Sequence, residues 1–382
     1  MTTDSRRAIW VGPSEGSQAA GLLQLLRSDG VVLETVESPQ ELARAIERAV
    51  PRAVLLSPDL DNQGETCLTV RAQARWAMIP VLWVRNELDD LAFGDAFGAG
   101  GDDVVASGNS TGLVRRLLIL PDAIGRDAAT GRGVALLGDA DDNRRVVLAR
   151  LLRNAGFNVS FAVTTGDVDE RVRSEAPRLV VVARDLPGGD TVTSLVQWRA
   201  EGGKEPWVVA TAPKDLRDVS EALRGTEGAW VWDVYAPPEN VLYAANEALR
   251  GSFAEQRQSP RMLYGTKVGF RVAGRDRDDE GFMYNVSGEG LFIRTLAPPL
   301  TGDDVWLEFV PPRSDRRVRL EASVVWRRVF GQGQDATVPP GFGVRITDGS
   351  KADRKRYREG YQSLAQQLAG IRFSELPSST EG

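Results

Sequence analysis

The sequence predicts a multidomain chain: two α/β domains, each a doubly wound parallel sheet, followed by a small antiparallel β-barrel with a C-terminal helix. Three observations predict it. Segments recur at one constant offset through the first two thirds of the chain. Each copy alternates short apolar runs with amphipathic ones, the pattern of a parallel sheet covered by helices on both faces. From about Phe253 the texture changes to short strands divided by Gly, Pro and Asp turns. At 382 residues the chain is too long for one core, and the expected domains are 1–127, 128–252 and 253–382.

The repeat is read from three pairs. PRAVLLSPDL begins at Pro51 and PRLVVVARDL at Pro177; IPVLWVRN contains Pro80 and EPWVVATA contains Pro206; LLRSDG begins at Leu25 and LLRNAG at Leu151. Each pair is 126 residues apart. In the first copy AIWVG is a short strand, and GLLQLLRSDG is an amphipathic helix that Gly30 can end in left-handed geometry. VVLETV is the second strand. In SPQELARAIERA, Ser38 can cap the helix, Pro39 suits its first turn and Glu41 completes a capping box. AVLLS and PVLWV are continuous apolar runs, as strands buried on both faces should be, and DVVAS is the last strand. The second copy repeats the scheme with VALLGD, VSFAV, LVVVA, WVVAT and AWVWDV, closed by the helix PPENVLYAANEALRG.

In the last third the candidate strands are GTKVGFRVAG, GFMYNVS, GLFIRT, DVWLEFVPP, RVRLEASVVWRR and PGFGVRITD. RVRLEASV alternates at period two, with Val318, Leu320, Ala322 and Val324 inward. KADRKRYREGYQSLAQQLAG is an amphipathic helix that places Tyr357, Tyr361, Leu364 and Leu368 near one face.

Composition limits the chemistry. Hydrophobic content of 42% and charged content of 26% are ordinary for a globular protein, and a formal charge of −6 disfavours bulk attraction to DNA or anionic membrane. Histidine is absent, which removes the commonest general base, the usual metal ligand and the physiological-pH switch. The single cysteine, Cys67, permits neither an internal disulfide nor a cysteine metal cluster. The opening MTTDSRRAIWVG turns polar again after four apolar residues, unlike a signal peptide or an anchor, and no apolar run approaches membrane-spanning length. The expectation is a soluble, cytoplasmic protein.

The order and the proline-led strands of residues 6–122 and 131–250 resemble the receiver domain of two-component response regulators. That resemblance implies an acid pair for Mg²⁺ after the first strand and an aspartate nucleophile ending the third. It also implies Thr or Ser after the fourth and Lys after the fifth, for phosphoryl transfer. The first copy has GPSEGS in the acid region, Ser57 at the phosphoacceptor position, Arg85 at the Thr position and Ser107 at the Lys position. The second keeps Asp139 and Thr211 but has Ala140, Ala183 at the phosphoacceptor position and Tyr235 for Lys. Ser57 and Ala183 are therefore degenerate phosphoacceptor positions, and both copies read as pseudo-receivers that bind proteins. Asp59 and Asp185, two residues further along each strand, are weak substitutes. Asp139, Asp141 and Asp142 read as a solvated acidic loop. The tripeptide Gly188–Gly189–Asp190 resembles a diguanylate cyclase signature, but Thr191 follows it and it falls in a loop after a strand, where glycines serve a turn.

The C-terminal segment carries RQSPR, with Arg257 and Arg261, and then NVSGEG, with Asn285, Ser287 and Gly290. Over about 253–350 it resembles the PilZ family, which has Arg-x-x-x-Arg leading into a barrel and Asp/Asn-x-Ser-x-x-Gly at a strand end. The resemblance implies a non-enzymatic receptor for cyclic di-GMP in bacterial signal transduction, with no catalytic residues, metal or cofactor. Guanidinium groups can fork onto phosphate oxygens or guanine O6 and N7 and stack on the purine. Asn285 and Ser287 can read a guanine edge, and Gly290 allows close backbone approach. Taken alone, Arg257 and Arg261 read as solubilising linker residues and Asn285–Ser287 as turn capping. Arg313, Arg316, Arg317, Arg327 and Arg328 read as solvated. The expected partners are cyclic di-GMP and unidentified proteins bound by the receivers. The alternative is a nucleotide-independent scaffold with a degenerate PilZ domain, and a homo-oligomer stays open in either case.

Overall fold

The computed structural model describes residues 7–14, 17–73, 75–121, 131–250, 261–331 and 338–368. The chain divides into two compact units. One gathers the first α/β domain and the barrel (Met1–Arg126, Tyr264–Gln332, Pro340–Leu364); the other holds the second α/β domain. No described helix is long and apolar enough to cross a membrane.

The first α/β domain runs β1 (Arg7–Val11), α1 (Ser17–Ser28), β2 (Val32–Val36), α2 (Pro39–Arg48), β3 (Ala53–Leu56), α3 (Gln63–Ala72), β4 (Val81–Arg85), α4 (Asp90–Gly98), β5 (Asp103–Ala106) and α5 (Ser110–Ile119). All neighbouring strands are parallel, in the order β2-β1-β3-β4-β5. The apolar runs of β1 and β3 are buried throughout, because helices cover both faces. Gly30 has φ of 81°, as the end of α1 requires. Ser38 caps α2 by accepting the Glu41 N–H, but the Glu41 carboxylate reaches the Glu37 N–H instead of that of Ser38. The cap forms one residue wider than a capping box.

The second α/β domain repeats the plan: β6 (Val134–Gly138), α6 (Asp142–Asn154), β7 (Asn158–Ala162), α7 (Thr165–Glu175), β8 (Leu179–Ala183), α8 (Thr191–Ala200), β9 (Trp207–Thr211), α9 (Leu216–Ala222), β10 (Ala229–Asp233) and α10 (Asn240–Arg250). Its sheet order, β10-β9-β8-β6-β7, is the same parallel arrangement. The glycines of Gly188–Gly189–Asp190 make the turn after β8 with φ of 101° and 158°, and Asp190 caps α8.

After the two-residue strand β11 (Met262–Leu263), six antiparallel strands close a barrel: β12 (Lys267–Val272), β13 (Asp279–Val286), β14 (Gly290–Arg294), β15 (Asp304–Phe309), β16 (Val318–Arg328) and β17 (Gly341–Gly349). Their order is β13-β12-β15-β16-β17-β14, and the β13–β14 pairing completes the ring. Val318, Leu320, Ala322 and Val324 are buried in alternation with exposed or half-buried neighbours, as their period requires. Helix α11 (Lys351–Leu368) buries Tyr357, Tyr361 and Leu364. Arg328 is also buried, not solvated as its place in a basic run suggests: it ends β16, opposite Gly341 in the closed sheet.

The barrel is joined to the α4–β5–α5 face of the first domain. Fully buried Arg116 donates to Asp103 Oδ2 at 2.7 Å, to Asp279 Oδ1 at 2.8 Å and to the Glu280 carbonyl at 2.7 Å. Arg115 takes the other Asp279 oxygen at 2.8 Å. Asp103 also accepts the Leu296 N–H at 2.8 Å. Beside this network Phe282 stacks on Phe93, ring centroids 5.1 Å apart, and the Arg294 guanidinium lies 3.3 Å from the centre of the Phe97 ring. Asp90 accepts the Lys267 N–H at 2.6 Å. Phe282, Leu296 and Phe330 complete two cores of the first domain, each large side chain so buried contributing about 1.5–3 kcal/mol.

Candidate functional site

The motif NVSGEG sits at the tip of the β13–β14 hairpin. Its turn closes on one carbonyl: the Ser287 N–H and Oγ both donate to Gly290 O, at 2.8 and 3.0 Å. The Ile346 N–H ties the Glu289 carbonyl to β17 at 2.9 Å. Gly290 is required by packing, not by a turn conformation: a Cβ there would stand 2.0 Å from Val344 O. The backbone approach that glycine permits is therefore to strand β17.

Asn285 precedes the turn at a bulge, where the β13 register shifts between Met283 and Asn285. It is only 5% exposed. It pairs across the sheet with Phe292, whose ring centroid is 5.5 Å from that of Trp326. From α11, the Tyr357 hydroxyl donates to Ser287 O at 2.7 Å and lies 3.0 Å from Gly290 O. Burial, then the neighbouring Tyr361, push its phenol far above the ordinary tyrosine range, so it remains a donor. Sequence reasoning assigned Tyr357 only to a buried helix face. Nothing in its spacing signalled the two carbonyls, 70 and 67 residues away in the chain.

Asn285, Ser287 and Gly290 are thus brought together within one hairpin. Arg261 is exposed in the other unit, where its carbonyl accepts the Tyr243 hydroxyl at 2.6 Å. Arg257 lies outside the described residues. A separate cleft of about 1540 Å³ is lined by Lys267, Arg271, Trp306, Glu308 and Arg319 among others; none of the motif residues of the hairpin lines it.

In the first α/β domain Ser57 follows β3, completely buried, with its N–H donating to Val11 O at 2.9 Å. Gly12, at φ 121°, packs so closely that a Cβ would stand 2.6 Å from Ser57 Cβ. The Gln63 amide, buried at the start of α3, donates to Ser57 O at 2.6 Å and toward Val84 O at 3.4 Å. This plug was not legible in the sequence, where a glutamine opening a helix reads as surface. Arg85 ends β4, and Ser107 donates to Asn86 Oδ1 at 3.1 Å. Asp59, exposed, gives its N–H to Ser57 Oγ at 3.2 Å.

In the second domain Ala183 ends β8, and its carbonyl accepts the Thr191 hydroxyl at 3.1 Å. Asp139 is not part of a solvated loop. It is 1% exposed and held by a forked Arg144 guanidinium, Nε at 2.5 Å and Nη2 at 2.8 Å, while Arg145 donates to its carbonyl at 2.6 Å. Burial would lower the Arg144 pKa, but the bonds and charge of Asp139 hold it above the ordinary value. Asp141 caps α6 and Asp142 pairs with Arg145. Thr211 is buried at the end of β9, Tyr235 is 78% exposed after β10, and Asp185 is exposed.

Comparison with known proteins bears on both parts. Residues 255–362 match the PilZ domain family. Over 139 residues, 36% of this chain, it is 29% identical to the swarming motility regulation protein RssB of Serratia marcescens. It spans about 63% of that relative's length. Among solved structures, the receiver domain of NtrX from Brucella abortus is similar over 30% of this chain and 98% of its own, with 19% identity and a TM-score of 0.28. The PilZ domain with c-di-GMP of YcgR from Escherichia coli is similar over 31% of this chain and 99% of its own, with 16% identity and a TM-score of 0.23.

Proposed function

We infer that this chain, two receiver-like α/β domains and a C-terminal PilZ domain, is a non-enzymatic receptor that binds cyclic di-GMP through the PilZ domain. The observation that carries the reading is the tip of the β13–β14 hairpin. There Asn285, 5% exposed, stands two residues before Ser287, and its carboxamide offers both donors and an acceptor. The Ser287 hydroxyl spends its proton on Gly290 O, which leaves its lone pairs as acceptors. An acceptor hydroxyl beside an amide suits the N–H donors of a guanine edge. In this reading Arg257 and Arg261, from the other half of the motif pair, supply the positive charge that two phosphates need. A few charge-assisted bonds of about 1.5–3 kcal/mol each, with stacking, reach the roughly −8 kcal/mol of micromolar affinity.

The same reading makes both receiver-like domains non-phosphorylatable and leaves them to contact proteins not yet identified. Ser57 and Ala183 have no carboxylate to phosphorylate. The Gln63 amide fills the end of the first sheet, and Arg144 occupies the oxygens of Asp139 that would face a divalent cation. Gly290 gives the scaffold alternative its support, since β17 alone accounts for that glycine.

Calorimetric titration of the full chain with cyclic di-GMP tests the reading. Micromolar binding is expected, weakened roughly thirtyfold in Arg257→Ala or Arg261→Ala, the equivalent of about 2 kcal/mol. No heat at tens of micromolar ligand, with partner binding retained in the double arginine variant, would instead establish the scaffold.

A further inference from the structure

We infer that helix α11 belongs to the ligand-reading site, with Tyr357 as the positioning residue of the turn from Ser287 to Gly290; this rests on the reading above. The turn carries its ligand groups on a short loop whose two ends must hold their spacing. One carbonyl, Gly290 O, takes both donors of Ser287, which leaves Ser287 O without a bond from within the turn. Tyr357 supplies it. Its hydroxyl reaches Ser287 O at 2.7 Å and Gly290 O at 3.0 Å, so a single proton spans the first and last residues of the turn.

The tyrosine is itself fixed. Its ring is 2% exposed and meets Phe309 edge to face, centroids 6.0 Å apart at 86°. One turn further along, Gly360 seats the helix against the β15–β16 connection, where a Cβ would stand 2.4 Å from Pro312 O. Barrel wall, helix and turn therefore form one chain of contacts. If the Ser287 hydroxyl must present its lone pairs in a set direction, the atom that anchors its carbonyl sets that direction. Hydrogen bonds through a side chain held this tightly transmit displacement instead of absorbing it.

The experiment is a double-mutant cycle on the full chain, titrating cyclic di-GMP into wild type, Tyr357→Phe, Ser287→Ala and the pair, with circular dichroism and a ligand-free unfolding midpoint for each. Tyr357→Phe keeps the ring and loses one neutral hydrogen bond, so affinity is expected to fall about three- to tenfold. With Ser287 already removed, the same change should cost less than twofold, because both act on one turn. Gly360→Ala keeps the hydroxyl but displaces the helix, and it should weaken binding in the same direction. A folded Tyr357→Phe protein with wild-type affinity overturns the inference, as does a loss that adds fully to that of Ser287→Ala. A merely structural tyrosine would lower the unfolding midpoint and leave the affinity unmoved. A wild type that gives no heat removes the proposed function and this inference with it, and the wild-type titration separates that outcome from the others.

Discussion

Arg116→Ala should be the most damaging single change among the charged residues that join the barrel to the first α/β domain. The guanidinium is fully buried. Desolvation pulls its pKa down, but the charges of Asp103 and Asp279 and their hydrogen bonds raise it above the ordinary arginine value. It therefore stays charged, and its removal strands two carboxylates that are 1% and 3% exposed at the side chain. Breaking a buried ion pair from one side costs about 3–5 kcal/mol, because the remaining charge is left without compensation. Arg115 still holds one Asp279 oxygen and the Leu296 N–H still serves Asp103, so the lower end of that range applies. For a unit of this size the loss corresponds to a fall in Tm of roughly 6–12 °C. Hydrogen exchange at peptide resolution during denaturant unfolding is the assay. In the wild type, strands β3–β5 and strands β13–β14 should open together. In Arg116→Ala the barrel should open separately from the sheet. A variant within 1 kcal/mol of wild type, or two regions that already open independently in the wild type, would refute the coupling.

Three further outcomes are expected. Incubation with acetyl phosphate should give no phosphoryl adduct by intact mass in the wild type, in Ser57→Asp or in Ala183→Asp, since Gln63 and Arg144 remain in place; an adduct in either variant contradicts the plugged-site account. Gly290→Ala, whose methyl would collide with Val344 O, should lower the denaturant midpoint by the equivalent of about 1–3 kcal/mol, and an unchanged midpoint would show that β17 can yield. Glu34 is partly desolvated, which raises its pKa, yet the bond and charge of Arg7 and the charge of Arg48 bring it below the ordinary glutamate value. Its stabilisation is then full above the unfolded-state value of about 4.3 and fades as pH falls through the lower folded value. Thermal melts of Glu34→Gln should accordingly lose less stability than wild type between neutral and acid pH, and parallel curves would discount the pair.

Much was determined by the chain of residues alone. Strands buried on both faces must be continuously apolar, and a duplicated domain must repeat them at one spacing, so the 126-residue offset was enough to draw both parallel sheets. Period-two alternation in RVRLEASV and the spacing of Tyr357, Tyr361 and Leu364 did the same for the barrel and its helix. These are local consequences of which face meets water. What only the tertiary structure decided is long-range and electrostatic. Asp103, directly after Asp102, begins β5 where the repeat has Ala229 beginning β10. Its partner Arg116 and the second carboxylate that arginine holds, Asp279, stand 163 residues apart, and a charged residue on an amphipathic helix reads as solvated until another domain covers it. Tyr357 beneath Ser287, 70 residues away, shares that long-range origin; Arg144 on Asp139 and Gln63 beneath Ser57 are near in sequence and take their meaning from burial alone. Burial inverts the meaning of a polar side chain, and burial is a property of the assembled fold.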